Sequence, residues 1–165
     1  MKGQQLDKID KQILRLLQKN AELSSNEIAE QVCLSPSPCA RRIRNLYQSG
    51  VIKNKVALLD PLELGLAVTA FIQVTLKRQA SEQLQSFEDV LENMPEVMDC
   101  YLVAGEYDYL LKVLVKDLNA YKDFLENKLT PLNFIDHIKT SFSLKVLRSK
   151  TELPLEHLNQ QKRNY

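Results

Sequence analysis

Apolar residues recur along the chain with two different periods, and the change of period divides it. Ile9, Ile13, Leu16 and Leu17 stand at i, i+4, i+7 and i+8, which keeps one helix face apolar and predicts a helix of about three turns. The polar run Lys19-Asn20-Ala21-Glu22 ends it. Ser24-Ser25-Asn26-Glu27 has the S-x-x-E form in which serine and glutamate satisfy each other's free backbone N–H groups at a helix start. Behind it, Ile28, Ala29 and Val32 give a short second helix its buried face, and Cys33-Leu34 makes a turn. Ser35-Pro36 restarts the chain with a capping hydroxyl and then proline at the first helical position, where the N–H has no partner in any case. Cys39, Ile43 and Leu46 share the inward face of this third helix, and Gly50 stops it at the C′ position. A short helix, a tight turn and a second helix form a helix-turn-helix unit.

Beyond Gly50 the period falls to two. Val51 to Leu59 reads as an extended stretch, a strand or hinge, closed by Asp60-Pro61. From Ala67 to Lys77 the chain alternates, with Val68, Ala70, Ile72, Val74 and Leu76 on one side. Ser81 is placed to cap a helix striped by Leu84, Phe87, Val90 and Leu91 and ended by Met94-Pro95. Val97 to Ala104 and Tyr109 to Val115 are two strands of a hairpin turned at Gly105-Glu106-Tyr107-Asp108. Leu118, Tyr121, Phe124 and Leu125 mark a further helix, and Ile138 to Val146 a last strand through Thr140, Phe142 and Leu144. Strand-helix-strand, strand-helix-strand is the ferredoxin-like βαββαβ order. The expected class is therefore α+β: a winged-helix-like helix-turn-helix domain over residues 1–50, a strand or hinge over 51–65, a ferredoxin-like domain over 66–150 and a tail over 151–165. Helices cover one face of such a sheet. The other is expected to carry Phe, Val, Leu and Ile, and a second copy of the chain would cover it, so at least a homodimer is expected.

Charge sharpens the division. Residues 1–55 hold ten Lys and Arg against five Asp and Glu, a balance of +5, while residues 56–165 hold twelve against sixteen, a balance of −4. No acid lies between Glu30 and Asp60, a window that contains Arg41, Arg42, Arg44, Lys53 and Lys55. A basic head on an acidic body points to a polyanionic partner for the head. On the third helix Ser37, Arg41, Arg44, Asn45 and Gln48 lie away from the apolar face, with Arg42 flanking. Arginine grips phosphate or pairs bidentately with guanine, and Asn and Gln suit adenine. Ser35 and Ser37 stand where a helix N-terminus approaches a phosphate. Double-stranded DNA is the expected partner.

Candidate chemistry is sparse. Cys33, Cys39 and Cys100 are odd in number and not densely spaced, which suits reduced thiols in the cytoplasm. Cys33 and Cys39, six apart with no histidine near, read as buried thiols and not as metal ligands. His137 and His157 have no ligand-spaced partner, no G-x-G-x-x-G occurs, and no nucleophile-base set is visible. No catalytic residue, metal or cofactor is assigned. Met1 to Asp10 are polar and lead into a helix without the form of a signal peptide, and no apolar run approaches the roughly 18 residues of a membrane span. One constellation remains, Gly105-Glu106-Tyr107-Asp108-Tyr109. A tight turn exposes N–H groups for a carboxylate and Asp108 offers a counter-charge for an ammonium, so an α-amino acid could be held there, with Tyr107 or Leu102 near its side chain. A plain hairpin with a Gly turn explains the same residues.

Leu6-Asp7-x-Ile9-Asp10-x-x-Ile13-Leu14, Leu34-Ser35-Pro36-Ser37-Pro38-Cys39, Arg41-x-Ile43-x-x-Leu46, Gly50-Val51-Ile52 and Gly105-Glu106-Tyr107-Asp108-Tyr109-Leu110-Leu111 together resemble the Lrp/AsnC (feast/famine) family of regulators, over Leu6 to Pro154. The resemblance implies a transcription factor for amino-acid metabolism genes whose second domain binds small effectors, usually amino acids, in clefts between dimers. It also implies assembly of dimers into tetramers, octamers or hexadecamers around which DNA can bend. The family's effector loop falls on Gly105 to Asp108, with further contacts from the last strand at Thr140, Ser141 and Phe142. Glu106 stands where the family often has Asp, and Ser141 and Ser143 stand where Tyr or Val is frequent, which implies a smaller or more polar cleft. Two other readings stay open: an architectural DNA-organising protein without an effector, and an enzyme built on a ferredoxin-like dimer.

Overall fold

The structure, a computed structural model, describes residues 6–77 and 87–158. Their contacts divide the chain into two compact units, Met1–Ala57 with Arg148–Tyr165, and Leu58–Leu147.

The first unit holds α1 (Lys8–Lys19), α2 (Ser25–Gln31) and α3 (Pro36–Gln48). α1 and α2 start where side chains satisfy the free N–H groups of a first turn. The expected box before α2 is present: Glu27 N–H donates to Ser24 Oγ at 3.3 Å, and Ser24 N–H to the Glu27 carboxylate at 2.7 Å. A second box, Asp7 with Asp10, caps α1. Ser35 stands at the N-cap of α3 with Pro36 behind it, but its hydroxyl makes no capping bond. After α3, Gly50 takes φ 75°, which glycine adopts without a Cβ clash, and its N–H donates to the Tyr47 carbonyl at 3.0 Å. Ile13, Leu14, Ile28, Ala29, Val32, Cys39 and Leu46 are buried together, with Ile9, Leu16, Leu17 and Ile43 packed around them.

Three expectations for this unit change. The thiols differ, because Cys39 lies on the inward face of α3 whereas Cys33 is exposed at the apex of the α2–α3 turn with φ 55°. Residues 51–59 form no strand, which leaves the hinge of the two expected forms, and Val56, Leu58 and Leu59 are each about 70% exposed. The described part of the segment set apart as a tail folds onto α1. Leu155 packs on the core, Lys11 Nζ donates to the Leu158 carbonyl at 2.9 Å, and the Gln18 amide bonds reciprocally with the Leu153 backbone at 2.6 and 3.4 Å.

The second unit is a four-stranded sheet of β1 (Val68–Leu76), β2 (Val97–Leu102), β3 (Tyr109–Val115) and β4 (Ile135–Phe142) in the order β2-β3-β1-β4. Its pairings are antiparallel, as the split βαβ order requires. Residues 87–91 are helical and bury Phe87 and Leu91, while Ser81 and Leu84 lie outside the described residues. α4 (Leu118–Phe124) runs into a wider π-helical turn, Leu125–Leu129. That turn brings Leu129 into the core, whereas Leu118 is exposed. Ala70, Ile72, Val74 and Leu76 meet Tyr109, Leu111, Val113 and Val115 beneath the helices.

β4 is displaced from its expected span. It begins at Ile135 and ends at Phe142, because β1 starts at Val68 and offers nothing to pair beyond the bond from Ser143 N–H to the Thr69 carbonyl. Leu144 is therefore fully exposed. The open face also differs from expectation. The Val and Ile positions of β1 turn to the helices, and the open face mixes Phe71, Tyr101, Leu110 and Leu114 with Gln73, Asp99, Lys112, His137, Lys139 and Ser141. Phe71 and Tyr101 remain exposed there.

Candidate functional site

α3 presents Arg41, Arg44, Asn45 and Gln48 to solvent, with Ser35 and Ser37 exposed at its N-terminal end. The inward pull of Cys39 and Leu46 fixes this orientation, because residues three and four apart share a helix face. Among the described residues no carboxylate pairs with Arg41 or Arg44. Their guanidinium groups are thus available to phosphates and base edges.

Arg42 departs from this face. Its Nη1 lies 2.7 Å from both Asp7 Oδ2 and Asp10 Oδ1, so it ties α3 to the cap of α1 and is half-buried in that role. Hydrogen bonds to Asp10 and then Asp7 raise the Arg42 pKa further above its already high value. Burial works to raise the pKa of the Asp7 carboxyl, but the Asp10 backbone N–H and the Arg42 guanidinium outweigh it and hold Asp7 below its ordinary 3.8. A carboxyl whose folded value is depressed stabilises the fold fully above the ordinary value and loses that contribution as pH falls through the folded one. Asp7→Asn should therefore lose less stability than the parent chain between neutral pH and about pH 3, followed by urea unfolding. Equal losses would show that the clamp contributes nothing.

Residues 103–108 join β2 to β3, closed by Val103 N–H donating to the Asp108 carbonyl at 2.8 Å. Gly105 and Glu106 are exposed and Tyr107 is half-buried. Asp108 differs from the sequence expectation: it is 6% exposed, and its Oδ2 accepts from Leu76 N–H at 2.7 Å. It secures the end of β1 and does not stand outward as a counter-charge. Gly105 has no left-handed φ, and a Cβ built on it would meet nothing within 4 Å. Neither backbone conformation nor packing requires glycine there, and the backbone is left open to close approach.

Leu102, paired with Tyr109, lines a cavity of about 390 Å³ with Leu91 and Cys100, rimmed by Glu88, Glu92 and Asp99. The Tyr109 hydroxyl donates to Glu88 at 3.2 Å. Burial and the neighbouring Glu88 push the Tyr109 pKa up to about 12, so it stays a donor at neutral pH. Burial and Glu88 also push up the Cys100 thiol, which keeps it from the reactive thiolate form.

The last-strand residues expected to join this site do not reach it within one chain. Thr140 and Phe142 turn to the helices. Thr140 Oγ1 lies 2.5 Å from the Tyr121 hydroxyl, and the Phe142 ring stands edge-on to Tyr121 at 4.9 Å. Ser141, opposite Phe71, is on the open face. Asp108 lies beside Val74 to Leu76 across β1, so strand geometry places it on the order of 14 Å from Thr140. The acidic rim at Glu88, Glu92 and Asp99 escaped the sequence reading because its residues share no local pattern. The α1 clamp had a usable signal in the D-x-x-D spacing of Asp7 and Asp10. Among the described residues, no group of three or more His, Cys, Asp or Glu could hold a metal, and no helix is long and apolar enough to cross a membrane.

Comparison with known proteins covers both units. Residues 6–53 match a family model described as winged helix-turn-helix DNA-binding, and residues 69–153 match one described as the Lrp/AsnC ligand binding domain. The chain is 38% identical over 151 residues to the DNA-binding transcriptional activator DecR of Escherichia coli K12, covering 92% of this chain and 99% of that protein. It is 34% identical over 154 residues to the leucine-responsive regulatory protein of the same organism, covering 93% and 94%. A crystal structure of a transcriptional regulator from Neisseria meningitidis in complex with L-Met superimposes with a TM-score of 0.88 at 39% identity, covering 93% of this chain and 99% of that one.

Proposed function

The chain belongs to the Lrp/AsnC family of DNA-binding transcriptional regulators, and on that premise we propose that an amino acid bound at the β2–β3 turn controls its assembly and its hold on DNA. The observation that carries this reading is the turn itself: Gly105 leaves backbone open to approach, three residues after Leu102, which lines the cavity at the end of β2. The L-Met held by the Neisseria regulator supports an effector of the same class. Backbone N–H groups around Gly105 and Glu106 receive the carboxylate, while Glu88 on the cavity rim takes the ammonium in place of the committed Asp108, Asp99 being paired with Lys112 on the open face. Thr140, Ser141 and Phe142, too far away within one chain, contribute from a neighbouring copy. The chain then forms homodimers that assemble into a tetramer or octamer, with the partly apolar open face of the sheet as one contact.

DNA is read by Ser35, Ser37, Arg41, Arg44, Asn45 and Gln48, and the protein works in the cytoplasm through binding and not through catalysis. An effector that prefers one assembly shifts the population toward it and changes DNA affinity as far as the assemblies differ in it, and DNA changes effector affinity by the same factor. Genes of amino-acid metabolism are the natural targets of such a response.

A thermal-shift screen of the twenty amino acids tests the reading, since a ligand of the folded state stabilises it by mass action, by about 2.7 kcal/mol at a hundred times its Kd. One or a few amino acids should raise the melting temperature of the parent chain. Gly105→Val should melt close to the parent without ligand, because a Cβ there meets nothing within 4 Å and the residue is exposed, yet lose the ligand-induced rise. No response to any amino acid would favour an architectural role without an effector, and an intact response in Gly105→Val would move the site elsewhere.

A further inference from the structure

The cations of the first unit divide by what holds them. Arg42 is clamped by Asp7 and Asp10, Lys55 pairs with Glu22 at 3.1 Å, Arg15 with Glu156 at 3.6 Å, and Lys11 donates to the Leu158 carbonyl. Among the described residues no carboxylate pairs with Lys19, Arg148 or Lys150. These three share a cavity of about 480 Å³ between α1 and the returning segment 148–156, lined also by Arg15, Gln18 and Leu153. Two acids, Glu152 and Glu156, join the lining. Arg15 takes up Glu156, so three cations face one remaining carboxylate.

The groove is held in place and is not a chance meeting of loose side chains. The reciprocal bonds of Gln18 with Leu153 and the burial of Leu155 against the core fix the segment on α1. Arg148 and Lys150 are thereby kept in the lining of one cavity with Lys19. Like charges fixed at one place repel, and a repeated or multiply charged anion relieves several of them at once. We propose that this groove is a second DNA contact of the first unit, taking backbone phosphates outside the footprint of α3. The proposal rests on the DNA-binding role of the same unit. Phosphate contacts of this kind add affinity and fix orientation without reading sequence.

The test is the full-length Arg148→Gln/Lys150→Gln double variant, with Lys19→Gln as a second variant on the α1 wall. Binding to two mixed-sequence duplexes of unrelated composition is followed across salt concentration. Losing two phosphate contacts should make the slope of log K against log salt shallower by about 1.8 and weaken binding about tenfold or more near 0.1 M salt. The loss should be equal on both duplexes. The substituted side chains are exposed, so far-UV circular dichroism and the melting temperature should match the parent. An unchanged slope in both variants overturns the proposal. Inorganic phosphate in a thermal-shift titration supplies the other arm: stabilisation that is lost in the variants while the DNA slope holds would assign the groove to a small phosphate and overturn the DNA contact. Arg41→Ala, run alongside, separates the two readings, since its failure to weaken binding would implicate the α3 assignment and not the groove.

Discussion

Replacing both Arg41 and Arg44 by alanine is expected to weaken DNA binding about 100-fold, with the fold intact. Both side chains are exposed on α3 and lack a carboxylate partner among the described residues, so removing them disturbs nothing internal. Each contact to a guanine edge or a phosphate contributes about 1–3 kcal/mol, and two near the lower end of that range give the expected factor. The two kinds of contact separate experimentally. A lost phosphate contact reduces the salt slope by about 0.9 and weakens every duplex alike, whereas a lost base contact relaxes selectivity at one position. Fluorescence anisotropy on the preferred duplex and on single-base variants of it measures both. Parent-like affinity and slope in the double variant would remove α3 from the interface.

Asp108→Ala should be the most destabilising single change in the β2–β3 turn, by about 2–3 kcal/mol in urea unfolding. The carboxylate is 6% exposed and accepts from Leu76 N–H at 2.7 Å. Its loss leaves a buried donor without its partner at the end of the central strand β1, and an orphaned buried donor costs about 1–3 kcal/mol. Charge-assisted bonds lie at the strong end of that range. Asp108→Asn keeps an acceptor in nearly the same place and should retain more than half of the difference. The pair also bears on the effector. If the amino-acid response survives in the Asn variant, the Asp108 charge is not the ammonium partner, as its inward geometry leads us to expect. An Ala variant as stable as the parent would mean that the bond to Leu76 contributes little to the fold.

Much of the fold could be read from the chain because its determinants are local. Ser24 and Glu27 are three residues apart, Gly50 follows the last turn of α3 directly, and the alternation from Val68 to Leu76 needs no partner to be visible. Arg41 and Arg44 were legible for the same reason, since helix periodicity alone puts them opposite Cys39 and Leu46. The residues whose roles were missed depend on distant partners. Arg42 looks like its neighbours until Asp7 and Asp10, more than thirty residues earlier, are brought beside it. Asp108 reads as a turn residue until Leu76 presents its N–H. The end of β4 is set by where β1 begins, and the returning segment by Gln18 and the core beneath Leu155. In each case the pattern was seen and the partner that decides its use was not.

The return of residues 148–158 to α1 also orders events in time. The ninety residues 58–147 lie between the two parts of the first unit. At synthesis rates of about 5–20 residues per second, some 5–20 s separate the emergence of α3 from that of Leu155. Through that interval the reading helix is exposed while the unit that supports it lacks Leu155 on its core and the bonds from Gln18 and Lys11. A nascent chain, or one ended early by a premature stop codon, therefore holds its first unit together without these contacts until translation has passed the second.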